Sequence, residues 1–564
     1  MEEYIKSHLK MILKYFKGES GMPNESYDVI RNECIKVVYL NGEVKYVSIR
    51  EAFRDAHLIK NVRYSSPVEE YSILRLLIVM AMDCYNYEDV IEIQEALDEN
   101  KFDMEKFDEY IKFCEKDEPV FDLFDEKKPF LQTRNYLTTS EERKKVKPIS
   151  VAKIFETVPS GNNHCFYIPL QEVKNFAVAY RDVLPALAAI APFATAGGRG
   201  YSDGINKTPP YYMLINTKIE NLYQKIVCNC VPVFDGSSNR VCSYNNLPPS
   251  WRANKVVTKG IEQIETSILD GMTFEARTIK LIPSNGYVKE IYYGPGLILK
   301  SSDGWIDPHV AYTFNKKGIR EAIFPRYDNK INSTKQVWQD FGLVFSSTED
   351  TIKQNSNGSG VMLPAVFKNI ENTKDDVFLI DVYGIVGCGK SPQEKTKRVK
   401  MIRERLNFPY EIINNTEKTK IFATCTKYVE NIEYLFRRKR FTINSEGKKS
   451  FSENGFLLIL DLQGFLDEIK DFLFSNFLVE LKDLSCESEE AVFALMAKFK
   501  DMLIQTALKY YDKAEIEANP TVHDMYYLAM DKKSFTNELK AKLGIKENKK
   551  PKSKKTIKKK GVVV

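Results

Sequence analysis

The sequence is poor in the residues on which most catalytic centres depend. Five histidines, His8, His57, His164, His309 and His523, are spread over 564 residues. No two stand in H-x-x-x-H spacing, and His523-Asp524 lacks the further histidine and aspartate of a metal phosphohydrolase. No G-x-S-x-G occurs, which excludes a nucleophile elbow. The ten cysteines are scattered singly apart from Cys228 and Cys230, a pattern of reduced, buried thiols in a cytoplasmic protein rather than a disulfide framework. Cys228, Cys230 and Cys242 do not read as a zinc site. Ile219, Leu222, Tyr223, Ile226 and Val227 recur with helical spacing, and cysteines at i and i+2 of a helix point about 200° apart. No metal or cofactor is expected. Long apolar runs are also missing. Ile73 to Met82 is interrupted by Arg75 and falls well short of the ~20 residues of a membrane span. The N-terminal segment carries charges through any would-be apolar core and does not read as a signal peptide, so no membrane partner is expected.

Net charge is nearly absent too, and the formal +5 misleads. Lys546 to Lys560 holds nine lysines and one glutamate, a segment net of +8, so the other residues sum to −3. A nucleic-acid role therefore cannot be read from bulk charge and has to reside in local loops.

Ile35–Leu40 and Glu43–Ile49, joined across Asn41-Gly42, predict a β-hairpin with a type I′ turn. Ser48-x-x-Glu51 predicts a capping box opening a helix through His57. Ser66-Pro67-x-Glu69 opens a second helix, Val68 to Cys84, apolar on most sides and hence central. Mixed elements follow, with short strands such as Tyr211–Ile215 and Val377–Tyr383. Beyond Pro409 come four amphipathic runs, roughly 411–438, 456–482, 488–513 and 521–543. The expected fold is α+β: a large mixed α/β domain over 1–408, a four-helix bundle over 409–545, and a disordered Lys-rich tail over 546–564.

Gly384-Ile-Val-Gly-Cys-Gly389-Lys390-Ser391 satisfies the phosphate-loop pattern G-x-x-x-x-G-K-[ST] and follows an apolar strand. A nucleotide-binding ATPase or GTPase is therefore the alternative function, with Asp461 as a second acidic ligand. Against it, Pro392 sits where the phosphate-binding helix should begin. A nucleotide-binding sheet also needs further βα units, whereas this sequence turns to helices.

Several stretches carry a family resemblance. Phe121-Asp-Leu-Phe-Asp125 followed by Lys128-Pro-Phe-Leu-Gln132, Ser160-Gly-Asn-Asn163 with Phe166, and Ala186–Ala194 running into Gly197-Gly198-Arg199-Gly200 resemble successive blocks of the CasA family. That family is the large subunit of Cascade, the type I-E CRISPR surveillance complex. Tyr27-Asp-Val-Ile-Arg31 and Trp305-x-Asp-Pro-His309 fall in family order, and the resemblance covers about residues 25–545.

The resemblance implies a non-enzymatic subunit that reads a protospacer-adjacent motif in duplex target DNA, largely from the minor groove, and helps open the duplex for guide RNA pairing. Antiviral partners would be the CRISPR guide RNA, other Cascade subunits and a separate helicase-nuclease. It nominates three reading elements. The first is the glycine loop, Gly197, Gly198, Arg199 and Gly200, whose missing side chains allow close backbone approach to a groove floor. The second is Lys300, in Gly296-Leu-Ile-Leu-Lys300. The third is a wedge at Gly384-Ile385-Val386 followed by Gly387, Cys388, Gly389 and Lys390, where some relatives carry a glutamine. Phe130, Gln132, Arg134, Arg143, Lys144, Lys145 and Lys147 would dock the subunit onto the RNA-bearing body of the complex.

Overall fold

The computed structural model describes residues 25–158, 176–195, 201, 204–206, 208–233, 247–253, 262–263, 266–299, 305–314, 319–328, 333–344, 361–370, 377–388, 397–413, 415–437, 440–443, 449–452, 460–486, 488–517 and 522–545. The chain divides into two compact units, Met1–Thr416 and Glu417–Val564.

The first unit opens on the expected hairpin, β1 (Ile35–Tyr39) and β2 (Val44–Val47), paired antiparallel. Its turn differs from type I′. Gly42 N–H donates to Tyr39 O at 2.9 Å and Gly42 sits at φ +87°, while Asn41 is not among the positive-φ residues. The loop is thus a turn over Leu40 and Asn41 with a glycine bulge behind it, the three-residue solution. Ser48 and Glu51 form the complete capping box of α1 (Ile49–Arg54), with Glu51 N–H to Ser48 Oγ at 3.1 Å and Ser48 N–H to Glu51 Oε2 at 2.9 Å. The helix stops at Arg54, not His57, because Leu58 N–H turns back to Asp55 O at 2.8 Å and leads into β3 (Ile59–Val62) on the other edge of β1.

The central helix α2 (Pro67–Tyr85) is capped by Ser66 and ends on Asn86 at φ +51°. Nearly every side chain from Val68 to Tyr85 is buried, so this helix has no solvent face, as its all-round apolar sequence requires. Against it pack α3 (Tyr180–Ala188) and α4 (Leu222–Val227). A sheet in the order β9–β8–β4 also lies on α2; its strands are β4 (Tyr212–Asn216), β8 (Val377–Cys388) and β9 (Lys397–Pro409). A second antiparallel pair, β5 (Arg277–Ser284) with β6 (Tyr287–Pro295), turns at Asn285-Gly286, both at positive φ. After it, the short β7 (Ile298–Leu299) pairs parallel with Glu262–Gln263.

The second unit is mainly helical. α5 (Thr416–Arg437) is followed by a small hairpin, β10 (Arg440–Ile443) with β11 (Lys449–Ser452), which the helical reading passes over. Then come α6 (Leu462–Phe472), a π-helical turn at Leu473–Phe477, α7 (Leu478–Asp483), α8 (Glu489–Glu517) and α9 (Val522–Lys542). Phe436 of α5 meets Phe465 of α6 and Phe535 of α9, which stacks on Tyr511 of α8 at 5.0 Å, so the helices share one aromatic core. Asp461 caps α6 through Gly464 N–H and pairs with Lys513 at the surface of the second unit. The basic tail, 546–564, lies outside the described residues. Among the described residues, no helix is long and apolar enough to cross a membrane.

Candidate nucleic-acid interface

Arg75 is the arginine that breaks the apolar run of α2, and it organises the middle of the first unit. It is 2 % exposed. A charge so placed must be paired and hydrogen-bonded. Its Nη1 lies 2.9 Å from Asp307 Oδ2 and donates to Tyr71 Oη at 3.0 Å, while Nε donates to Met272 O at 3.0 Å. The guanidinium also lies 5.6 Å from the centroid of the Tyr212 ring. Asp307 accepts in addition from Asn206 Nδ2 at 3.2 Å and from His309 N–H at 3.1 Å.

His309 continues this network. Its Nε2 faces Asn229 O at 3.0 Å and its Nδ1 faces Tyr71 Oη at 3.1 Å. A carbonyl can only accept, so Nε2 carries the proton and Nδ1 accepts from Tyr71, whose oxygen in turn accepts from Arg75. The Tyr71 hydroxyl hydrogen and the His309 Nε2 hydrogen each have one place to go, and a second imidazole proton has none. Burial pushes the imidazole down to about 4. The unfolded histidine titrates at about 6.5, so between these values the unfolded chain binds the extra proton. The stabilisation is therefore complete above pH 6.5 and disappears as pH falls to about 4, about 3 kcal/mol for a shift of this size. Urea unfolding at about pH 7 and about pH 4 should show the native chain losing that much more stability than a His309→Gln variant. Parallel losses in the two proteins would remove His309 from the account.

The nominated reading elements are tied to this hub by their flanks. The glycine-loop residues Gly197, Gly198, Arg199 and Gly200 lie outside the described residues, but both ends of their loop are fixed. Gly204 N–H donates to Ala194 O at 2.9 Å, and a Cβ on Gly204 would stand 2.6 Å from that oxygen, so the neck requires glycine. Arg277, 4 % exposed, donates to Thr195 O and to Tyr293 Oη and lies under the Tyr201 ring, which stacks on Tyr293 at 5.8 Å. On the exit side, Asn206 binds Asp307, and Tyr212 donates to Pro192 O at 2.6 Å.

Lys300 also lies outside the described residues, and its neighbours are again placed. Gly296 N–H donates to Ala276 O, and a Cβ there would meet Glu275 O at 2.3 Å, so this segment starts flush against the residue before Arg277. Beyond Lys300, Trp305 Nε1 donates to Asn206 Oδ1 at 3.1 Å, and its ring occupies the space a side chain at Gly271 would fill. The lysine segment and the glycine loop are thus stitched together at both ends.

The wedge follows β8. The strand runs five residues past its expected end at Tyr383, and Gly384, Ile385, Val386, Gly387 and Cys388 pair with Ile402, Met401, Lys400, Arg398 and Lys397 of β9. Tyr383 is paired with Tyr212 and lies 5.6 Å from the Tyr71 ring, so this strand is rooted in the same hub. Gly389 and Lys390 lie outside the described residues. This geometry corrects the phosphate-loop alternative. Such a loop must leave its strand, curl its amides around an anion and enter a helix. Here the first half of the motif is engaged in an antiparallel ladder, and the chain returns as strand β9.

The docking residues separate into two groups. Phe130, Gln132 and Arg134 are buried within the chain. Phe130 packs on Phe121 and Trp251, Gln132 Oε1 accepts from Leu281 N–H at 2.7 Å, and Arg134 donates to Trp251 O. Arg143 is turned inward too, donating to Leu137 O and Thr138 O and pairing with Glu126. Lys144, Lys145 and Lys147 remain exposed beside the short helix Ser140–Lys144. Leu131 and Leu137 hold φ of +53° and +52°, unusual for leucine, so this segment is locked by its internal contacts. Cys228 and Cys230 are buried and donate to the backbone carbonyls of Ile215 and Ile226, Cys242 lies outside the described residues, and no metal-binding cluster occurs among the described residues.

These observations define a class first: a large mixed helix-and-sheet protein in which residues flanking the nominated glycine, lysine and wedge segments meet around one buried ionic network. Residues 28–506 match the CRISPR-associated protein Cse1 family, and the chain belongs to it. It is 25 % identical over 334 residues to a CRISPR-associated protein CasA/Cse1 of Thermus thermophilus, a match covering 57 % of this chain and 60 % of that relative. Its fold is similar to that of Thermobifida fusca Cse1, with TM-score 0.66 and 16 % identity over 92 % of this chain and 98 % of that one. A chain of a CRISPR RNA-guided surveillance complex aligns with TM-score 0.61 and 13 % identity, covering 91 % and 99 % respectively.

Proposed function

We propose that the protein is the large, non-catalytic subunit of a type I-E CRISPR RNA-guided surveillance complex. In this reading it recognises a short flanking motif in duplex DNA, helps separate the strands for guide RNA pairing, and recruits a separate helicase-nuclease. The observation that carries the reading is the convergence of the glycine-loop neck, the downstream flank of Lys300 and the strand leading to the wedge on Arg75, Tyr71 and Asp307. The described flanks of three loops remote in sequence are tied to one buried network, which suits the reading of a few adjacent base pairs. Protein reads the flank and base pairing reads the rest. Lys144, Lys145 and Lys147 suit phosphate contacts that position the subunit without specifying sequence.

The test is reconstitution with guide RNA and companion subunits, followed by target binding across a library of randomised flanks and a salt titration. Lys300→Ala should flatten the preference at one flank position by about 1–3 kcal/mol. Removing residues 546–564 should weaken binding and shallow the salt slope while leaving the preferred flank unchanged. Equal affinity for all flanks in the native protein would reduce the chain to a scaffold.

A further inference from the structure

A groove of about 470 Å³ opens on the face of the β9–β8–β4 sheet next to β3. Its described lining includes no residue of the glycine-loop neck or of the strand ends that lead to the wedge tip. Five cationic side chains line it against two acidic ones, Glu220 and Asp381. Its floor is an internally matched ion cluster. Lys225 lies 2.6 Å from Asp381, and Arg405 pairs with Asp381 and Glu220. Arg403, half exposed, reaches the buried Glu70 at 3.1 Å. Even with Glu70 counted, positive charge remains in excess, and it resides in Lys60 and Arg63. Both are exposed and have no ion-pair partner among the described residues.

Uncommitted hydrogen-bonding groups face the same space. Asn216 is 6 % exposed, and its Nδ2 donor is buried with no partner. Asn61 gives its Nδ2 to Glu70, which leaves Oδ1 buried and unpaired. Orphaned buried amides are costly and uncommon in a finished core, so a donor and an acceptor orphaned in one groove call for a ligand with both functions. The groove also has an apolar wall. Ile219 is 56 % exposed there and stands with Val38 and Val62 among the lining residues.

Excess positive charge, one free donor, one free acceptor and an apolar wall together match one chemistry. We propose that this groove binds a nucleotide, its phosphate held by Lys60, Arg63 and Arg403, its base edge by Asn61 and Asn216, and its base or sugar face against Ile219. The volume lies within the range of small-molecule sites. The nucleotide can be free or a unit of a nucleic-acid strand, and these two sources separate experimentally.

The purified full chain would be titrated with a fluorescent adenosine monophosphate and, separately, with a short fluorescent single-stranded DNA. Inorganic phosphate and unlabelled nucleotide would serve as competitors. The double variant Lys60→Ala/Arg63→Ala should weaken binding of the recognised probe about a hundredfold at an unchanged unfolding midpoint, since both side chains are exposed. Asn216→Asp, which replaces the free donor with an acceptor, should weaken nucleotide more than phosphate. Binding of both probes with these losses indicates a free-nucleotide site, and binding of the strand alone indicates a strand unit; either supports the proposal. It is overturned if neither probe binds or the double variant binds as well as the native chain. Equal competition by phosphate with no effect of Asn216→Asp also overturns it. So does loss of binding in Lys390→Ala, which would return the site to the Gly384–Ser391 motif.

Discussion

Asp307→Ala is expected to destabilise the protein by about 3–5 kcal/mol, because it leaves the Arg75 guanidinium buried without its counter-charge. Arg75 Nη2 already has no partner, so the site has no spare acceptor to take over. Two further donors, Asn206 Nδ2 and His309 N–H, lose their acceptor in the same step. Urea unfolding followed by tryptophan fluorescence reads the loss, with Trp305 reporting from beside the network. The double variant Arg75→Met/Asp307→Leu should recover most of the stability, since a buried pair replaced as a whole by apolar side chains is often neutral. It should recover discrimination among flanks only in part, because Asn206 then ties the glycine-loop neck to the hub through Tyr212 Oη alone. A single-variant cost below about 1 kcal/mol would mean that the charge is compensated elsewhere, and the hub would lose its organising role.

The sequence announced this hub only in outline. A lone arginine in an apolar helix needs a buried acid, and Asp307 stands in a block that already resembled the family pattern, but nothing local pairs residues 232 positions apart. Local signals did well where local chemistry decides the outcome. Ser48 with Glu51 and Ser66 with Pro67 placed two helix starts because a capping side chain acts within three residues of itself. The four C-terminal helical runs were visible because their apolar spacing repeats over several turns. What failed was the part that tertiary contact decides. β8 was expected over Val377–Tyr383, the apolar run that precedes the Gly384–Ser391 motif. It continues because β9 supplies a full ladder of partners, and at Gly384 a Cβ would meet Pro325 at 3.0 Å. The nominated docking residues divide for the same reason. The family resemblance nominated Phe130, Gln132 and Arg134 for docking, whereas β5 and Trp251 bury them.

Shortening the wedge should have the largest effect on function. Cys388 and Lys397 face each other across the ladder, so residues 389–396 can be replaced by Asn-Gly, the preferred two-residue hairpin turn, without disturbing the register behind them. The strands below the tip carry the packing of Tyr383, Val382 and Ile380, all fully buried, and the shortened chain should keep its unfolding midpoint. If the tip holds the duplex open at the flank, the reconstituted complex must then melt the first base pairs unaided. Stacking is worth about 1.4 kcal/mol per step, so three steps come to about 4 kcal/mol, or about a thousandfold in the rate of R-loop formation on linear duplex. The same complex on a target already unpaired next to the flank should form its R-loop at nearly the native rate, because the missing work has been done in advance. Lys390→Ala in the intact hairpin should produce a smaller loss, that of one phosphate contact, with its share of the salt dependence. A shortened wedge that opens intact duplex as fast as the native protein would move strand separation to another element. A loss that the pre-opened target fails to rescue would assign the hairpin to docking instead.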